Sequence, residues 1–266
     1  MFDSIAGDYD ALNHILSLDV DKIWRKKALK QIVDAPAPVQ VLDLACGTGD
    51  FSIAIAKALS RSHKRVGTPN EAHVKAPAKA PVEAQVTSTG FVTGDSGRSD
   101  LMTKGHVTGV DLSEGMLAVM REKVGKAGLT EMISIEEGDG ENLRFPDNTF
   151  DRVTIAFGIR NFEDRPKGLR EMLRVLKPGG RLVILELSRP ENKVIRWFYD
   201  LYFLHILPKI GGKVSGDKAA YAYLPASVAA FPGKKAFMAT MREAGFRTVT
   251  HKAFTLGICR MYTGEK

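Results

Sequence analysis

The residues best suited to chemistry lie in Val41-Leu42-Asp43-Leu44-Ala45-Cys46-Gly47-Thr48-Gly49-Asp50. An apolar run ends in an acid, then in small residues and two glycines, and a helical pattern starts at once over Phe51 to Leu59. That order spells a strand, a tight turn and a helix N-terminus. Glycine at 47 and 49 puts no Cβ between the backbone and a ligand. The helix start offers N–H groups that have no partner within the helix. The stretch therefore reads as a nucleotide-type cofactor site. A dinucleotide site would carry a third glycine, in G-x-G-x-x-G. Here Ser52 stands in its place and Asp50 opens the helix, an acid that repels a pyrophosphate but tolerates a cation. This disfavours a nicotinamide dehydrogenase.

A second acid, for the ribose hydroxyls, is expected at the end of the next strand, about 20 residues further on. His106-Val107-Thr108-Gly109-Val110-Asp111-Leu112-Ser113 supplies the strand and the acid, at a much longer spacing. The excess, roughly 40 residues over the usual spacing, is an insertion. Residues 60–105 contain Pro69, Pro77 and Pro81, one Leu, and many Ser, Thr, Gly and Ala, without helical or strand periodicity. Such a segment cannot bury enough apolar surface to offset its ordering entropy, so a disordered surface excursion is expected. Its seven Lys/Arg against four Asp/Glu leave a basic arm as the alternative.

The elements that must position these residues alternate. Strands are expected at Val39–Ala45, His106–Leu112, Met132–Glu136, Arg152–Phe157 and Arg181–Leu187. Helices are expected at Phe51–Leu59, Glu114–Lys126, Pro166–Leu176 and Phe237–Ala244. Lys177-Pro178-Gly179-Gly180 reads as a stop and turn, and Phe246–Phe254 with Ile258–Thr263 as a terminal hairpin. Alternation of this kind builds a mostly parallel sheet with helices on both faces, an α/β fold. Residues 1–33, helical and marked by Ile15, Leu16 and Trp24, fall outside the alternation. So does the aromatic-rich stretch 190–232. Both are assigned to a substrate-side lid on a single domain.

The 266 residues carry a net charge of +7, or +4 without the insertion. That modest excess fits weak attraction to an anionic membrane surface, or nothing. No Lys/Arg cluster with interleaved aromatics suggests a nucleic-acid face. Cys46 and Cys259 give neither a disulfide framework nor metal spacing, and no metal is expected. Without a signal peptide pattern or an 18-residue apolar run, a cytoplasmic protein is expected, with association at the inner membrane face as the alternative. Oligomeric state stays open, a homodimer included.

The acid-x-x-x-G-x-G string resembles motif I of the class I S-adenosylmethionine methyltransferases. The whole chain outside 60–105 resembles the UbiE/MenG family of quinone-biosynthesis C-methyltransferases, which methylate demethylmenaquinone and the ubiquinone precursor ring. Four signatures carry the likeness. They are Met1-Phe2-Asp3-Ser4-Ile5-Ala6 with Tyr9-Asp10, Leu12-Asn13, Leu16-Ser17 and Trp24-Arg25; Phe157-Gly158-Ile159-Arg160-Asn161-Phe162; Arg174 through Arg181; and Asp217-Lys218, Tyr221-x-Tyr223-Leu224-Pro225 with Ser227 through Phe231-Pro232.

The resemblance implies a class I, Rossmann-like fold with a seven-stranded, mostly parallel sheet whose last strand is antiparallel. It implies S-adenosylmethionine as cofactor and a polyprenyl quinol as substrate. Asp43 would face the amino acid end of the cofactor, with Gly47, Thr48 and Gly49 in the turn. Asp111 and Leu112 would meet the ribose, Asp139 and Gly140 the adenine, and Ala156 would stand where relatives often have serine.

Methylating a ring carbon requires an electron-rich acceptor, hence the reduced quinol. It also requires alignment, a donor for the developing phenolate and a proton acceptor. Arg160 and Asn161, just beyond the fourth strand, suit the donor role. The alternative for Arg160 is a structural pair with Glu163 or Asp164. Tyr9, Asp10 and His14 are further candidates from the N-terminal lid. The prenyl tail would meet residues 194–207, too short to span a bilayer but suited to an interfacial helix, or else a lid helix on the core. Rival readings are a methyltransferase for a soluble small molecule and a non-catalytic cofactor- or quinone-binding protein.

Overall fold

The computed structural model describes residues 19–34, 39–66, 105–202 and 218–266. Tyr9, Asp10 and His14, the insertion from 67 to 104, and residues 203–217 lie outside them.

Seven strands form one sheet in the order β3-β2-β1-β4-β5-β7-β6. The strands β1 (Gln40–Leu44), β2 (His106–Asp111), β3 (Ile133–Glu137), β4 (Phe150–Ala156) and β5 (Leu176–Leu187) run parallel. The strand β7 (Cys259–Glu265) is antiparallel to both β5 and β6 (Arg247–Phe254). The expected seven-stranded, mostly parallel sheet with an antiparallel last strand is what the chain builds. Strand order reverses between β1 and β4, where ligands enter doubly wound folds above the strand ends.

Helices cover both faces, so the strands are apolar on both sides. On one face Leu42, Leu44, Leu182 and Ile184 pack under the helices α4 (Arg165–Val175) and α7 (Lys234–Glu243) through Leu169, Met172, Phe237 and Met241. On the other, Val41, Val183 and Leu185 meet α1 (Val20–Ile32), α2 (Asp50–Val66) and α3 (Glu114–Lys126) through Trp24, Ile55 and Leu117. The helices α5 (Lys193–Leu201) and α6 (Lys218–Ala230) are the described helices of the 190–232 stretch. Side-chain oxygens of Ser113, Asp164 and Asn192 cap the N-termini of α3, α4 and α5, replacing partners those N–H groups lack.

Two boundaries differ from expectation. The helix α2 continues through residues 60–66 to Val66. Arg61 is a good helix former, and the first breaker in the sequence after it is Gly67. The Lys177-Pro178-Gly179-Gly180 turn lies inside β5 instead of before it. Pairing with β4 jumps from Phe150↔Leu176 to Arg152↔Arg181, so the turn is a bulge between two stretches of one ladder.

Candidate functional site

The chain leaves β1 through left-handed backbone at Ala45 (φ 48°), Gly47 (φ 56°) and Gly49 (φ 84°). A Cβ on Gly49 would collide with the Met120 side chain of α3. The turn is therefore pressed against a helix while its outer edge lines a cleft of about 450 Å³.

Asp43 stands at the base of this cleft, 1% exposed. Burial pushes its carboxyl up to about 7, opposed by a hydrogen bond from Ser52 Oγ (2.5 Å) and by the nearby Arg25 charge. Ser52, which the sequence presents only as a missing third glycine, is thus the acid's hydrogen-bond donor. The signal was the hydroxyl's place on the first turn of α2, next to the strand end.

Asp111 ties the neighbouring loop to this turn. Its Oδ2 accepts from the Gly47 N–H (2.8 Å) and its Oδ1 from the Ser113 N–H (2.9 Å). A carboxylate at this strand end is the acceptor type that ribose hydroxyls suit. Leu112 projects beside it, 68% exposed. Asp139 accepts from the Glu141 N–H (2.8 Å) and from Asn142 Nδ2 (2.5 Å), which makes it a turn acid here. It lies in a separate small depression with Glu137 and Gly138. A Cβ on Gly140 would stand 2.5 Å from the Phe162 ring, so a larger residue here would displace that ring.

The opposite wall grows from the exit of β4. Phe157 adopts φ 62°, unusual for a non-glycine residue. Against it lie Trp24, with ring centroids 6.2 Å apart, and the Arg25 guanidinium at 5.7 Å from the ring centre. Trp24 Nε1 donates to Thr255 Oγ1 (2.9 Å), anchoring α1 to the turn before β7. Arg25 Nη1 reaches Asp21 (3.2 Å) and Asp50 (3.3 Å). Asp50 also pairs with Lys123, which donates to Thr48 Oγ1 (3.2 Å).

Arg160 is buried at the cleft wall. Its Nη1 meets Glu186 Oε1 (3.0 Å) and the Phe157 carbonyl. Its backbone N–H donates to Glu186 Oε2 (3.1 Å) and its Nε to Ser227 Oγ (3.3 Å). The partner is Glu186 on β5, not the Glu163 or Asp164 that the sequence suggested. Asn161 Oδ1 accepts from the Tyr223 hydroxyl (2.9 Å). The FGIRNF segment and the α6 segment thus dock by side-chain hydrogen bonds, while Trp24-Arg25 packs on Phe157. Signatures far apart in sequence converge on one strand end.

The cleft gathers Asp43, Gly47, Thr48, Ala156 and Arg160. Gly49, Asp111, Leu112, Asp139, Gly140 and Asn161 stand outside its lining, Gly49 and Asp111 directly behind it. The donor set fits a cationic nucleoside-bearing amino acid. A buried acid near neutrality is stabilised in its charged form by an approaching cation, and the glycine turn leaves room for a close ligand. The far wall is apolar and aromatic, with Ile195, Phe198, Tyr202 and Leu224.

The family model described as the ubiE/COQ5 methyltransferase family matches residues 1–266. A protein of Geobacter sulfurreducens named "Ubiquinone/menaquinone biosynthesis C-methyltransferase UbiE" is 43% identical over 100% of this chain and 87% of its own. A "Demethylmenaquinone methyltransferase" of Bacteroides fragilis is 40% identical over 100% of this chain and 91% of its own. The crystal structure of a SAM-dependent methyltransferase from Aquifex aeolicus shares the fold. It matches with a TM-score of 0.53 and 19% identity, over 91% of this chain and 88% of its own.

Proposed function

The chain belongs to the ubiE/COQ5 methyltransferase family, and on that premise we propose its reaction: C-methylation of a polyprenyl quinol ring, demethylmenaquinol to menaquinol. It is an S-adenosylmethionine-dependent C-methyltransferase of quinone biosynthesis. One observation carries the acceptor assignment. A cofactor-type acid and glycine turn share a single cleft with an aromatic wall and a buried, preorganised arginine.

S-adenosylmethionine, when bound, supplies a methyl group on a cationic sulfur. Asp43 holds the cationic end, Thr48 and the glycine turn line it, and Asp111 takes the ribose. Leu112, Asp139, Gly140 and Ala156 complete the nucleoside side; Asp139 keeps its turn bonds and has lone pairs to spare. On the acceptor side, Arg160 donates to the developing phenolate. Glu186 neutralises much of its charge, so its contribution is a fixed donor in a dry wall more than a free cation. Its Nη2 makes no hydrogen bond among the described residues, which leaves a donor available. Asn161, with its oxygen held by Tyr223, orients a hydroxyl or a water, and a water accepts the ring proton. Tyr9 belongs to the same proposed lid.

The prenyl tail leaves along α5. Val194, Trp197, Phe198 and Leu201 form an exposed apolar stripe at helical spacing, suited to contact with a membrane surface. No described helix is long and apolar enough to cross a membrane. The G. sulfurreducens relative is named for ubiquinone as well as menaquinone, so the 2-methoxy-6-polyprenyl-benzoquinol is the second acceptor to consider. Turnover of paired naphthoquinol and benzoquinol analogues tests the choice. Methylation of the benzoquinol alone would overturn the menaquinol assignment.

A further inference from the structure

The amino acid end of the cofactor carries two charges on one carbon, an ammonium and a carboxylate. Asp43 answers the first. The second is best answered by a cation or other strong donor near Asp43, because a desolvated carboxylate without a partner is strongly unfavourable.

Among the described residues lining the cleft, the cations are Arg25 and Arg160. Arg160 is held by Glu186 at 3.0 Å and by Ser227, on the acceptor wall. Arg25 is placed differently. It comes from α1, and it is the arginine whose charge acts on Asp43 and lowers its carboxyl. Its ion pairs with Asp21 and Asp50 both use one nitrogen, Nη1. Its Nε is buried without a hydrogen-bond partner, and its Nη2 makes no hydrogen bond among the described residues. The guanidinium is braced over Phe157 at 5.7 Å. Two donors of a rigid fork are therefore unused on an arginine that lines the same cleft as the acid, the arrangement that suits a carboxylate.

We propose that Arg25 holds the α-carboxylate of S-adenosylmethionine, so that the helix α1 closes on the cofactor as well as on the acceptor. This rests on the cofactor reading above. Arg25 is a binding residue supplied by a segment outside the alternating sheet core. Its link to Asp50 and from there to Lys123 and Thr48 ties lid position to the glycine turn.

Decarboxylated S-adenosylmethionine keeps the ammonium and the sulfonium but lacks the carboxylate, so it isolates this contact. Calorimetric affinities for both compounds are measured on the wild-type enzyme, Arg25→Met and Arg25→Lys. The wild type should prefer S-adenosylmethionine by about tenfold to a hundredfold, the scale of a charged hydrogen-bonded pair. Arg25→Met should lose that preference by weakening S-adenosylmethionine alone, and Arg25→Lys should keep part of it. Equal weakening of both ligands would make Arg25 a purely structural brace. A preference that survives in Arg25→Met would place the carboxylate elsewhere. Either result overturns the proposal. Failure of the wild type to bind S-adenosylmethionine would overturn the cofactor reading itself and the proposal with it. If Arg25→Met does not fold, the Arg25→Lys affinities decide by the same comparison.

Discussion

The two sides of the cleft are built from different materials. At the exits of β1 and β2 the turn is shaped by backbone: left-handed residues at Ala45, Gly47 and Gly49, and N–H groups of Gly47 and Ser113 held by Asp111, with side-chain bonds from Ser52 to Asp43 and from Lys123 to Thr48 around it. The exits of β4 and β5 are shaped by side chains reaching across the sequence. Arg160 meets Glu186 and Ser227, Asn161 meets Tyr223, and Trp24 meets Thr255. Backbone contacts suit a cofactor common to many enzymes, because they depend on turn geometry more than on neighbours. Side-chain contacts between distant segments can be retuned to a particular acceptor. The cofactor side should therefore respond to glycines and lone acids, and the acceptor side to pairs.

The largest effect is expected for Arg160→Met. Methyl transfer should fall by roughly a hundredfold, the scale for one preorganised donor. Stability should fall by about 3–5 kcal/mol, because Glu186 is left charged and buried. Arg160→Met combined with Glu186→Gln should recover stability but not rate. Chemical denaturation and single-turnover kinetics separate the two. Recovery of both would reduce Arg160 to a structural pair.

Asp111→Ala comes next on the cofactor side. Loss of about 2–3 kcal/mol in S-adenosylmethionine binding is expected, since two charge-assisted bonds go and the Gly47 turn loses its tether. Unchanged affinity by calorimetry would refute the ribose assignment.

The pH dependence of cofactor binding follows from Asp43. Burial raises its carboxyl to about 7, and in the proposed function the charged form binds the cation. Affinity should fall as pH drops below about 7, by at most about tenfold per pH unit, and level off above it. Stability without cofactor should show the opposite sign. The native state holds this proton more tightly than the unfolded chain, so Asp43's contribution is present at low pH and lost as pH rises from the ordinary carboxylate range through about 7. Ser52→Ala removes the donor that lowers this carboxyl and should move the binding transition to higher pH. A pH-independent affinity would remove Asp43 from the contact.

The smallest effect is expected from replacing residues 67–104 by a short Gly/Ser linker of about six residues. Shortening a long connection changes loop-closure entropy by about 1 kcal/mol or less, and turnover should be unchanged. Lost activity would give that segment a role on one side of the cleft.

Legibility followed the same division. The turn from Asp43 to Asp50 is contiguous, and strand, glycines and helix start can be read in one line of sequence. Asp111 at the end of β2 follows from that reading; the press of Gly49 against Met120 does not, because Met120 comes from a helix distant in sequence. Glu186 was not anticipated, because its partner is 26 residues away and on a neighbouring strand end. Its signal was a lone acid inside the apolar run Leu182–Leu187, where a buried charge requires a partner. Asp139 reads from the sequence as a nucleoside acid; that its oxygens also hold the next turn depends on the fold around Glu141 and Asn142. The KPGG turn was visible, but its incorporation into β5 depends on the register with β4, which no local pattern encodes. The limit of the insertion was misplaced at 60 because composition was averaged across a helix end that continues to Val66.

The most direct test of the central claim is incorporation of labelled methyl from S-adenosylmethionine into short-chain demethylmenaquinone, supplied reduced and oxidised in parallel. Label should enter the ring carbon of the quinol and not the quinone, because the ring must be electron-rich to attack. Equal labelling of both forms, or binding of cofactor with no labelling of the quinol, would contradict the proposed chemistry.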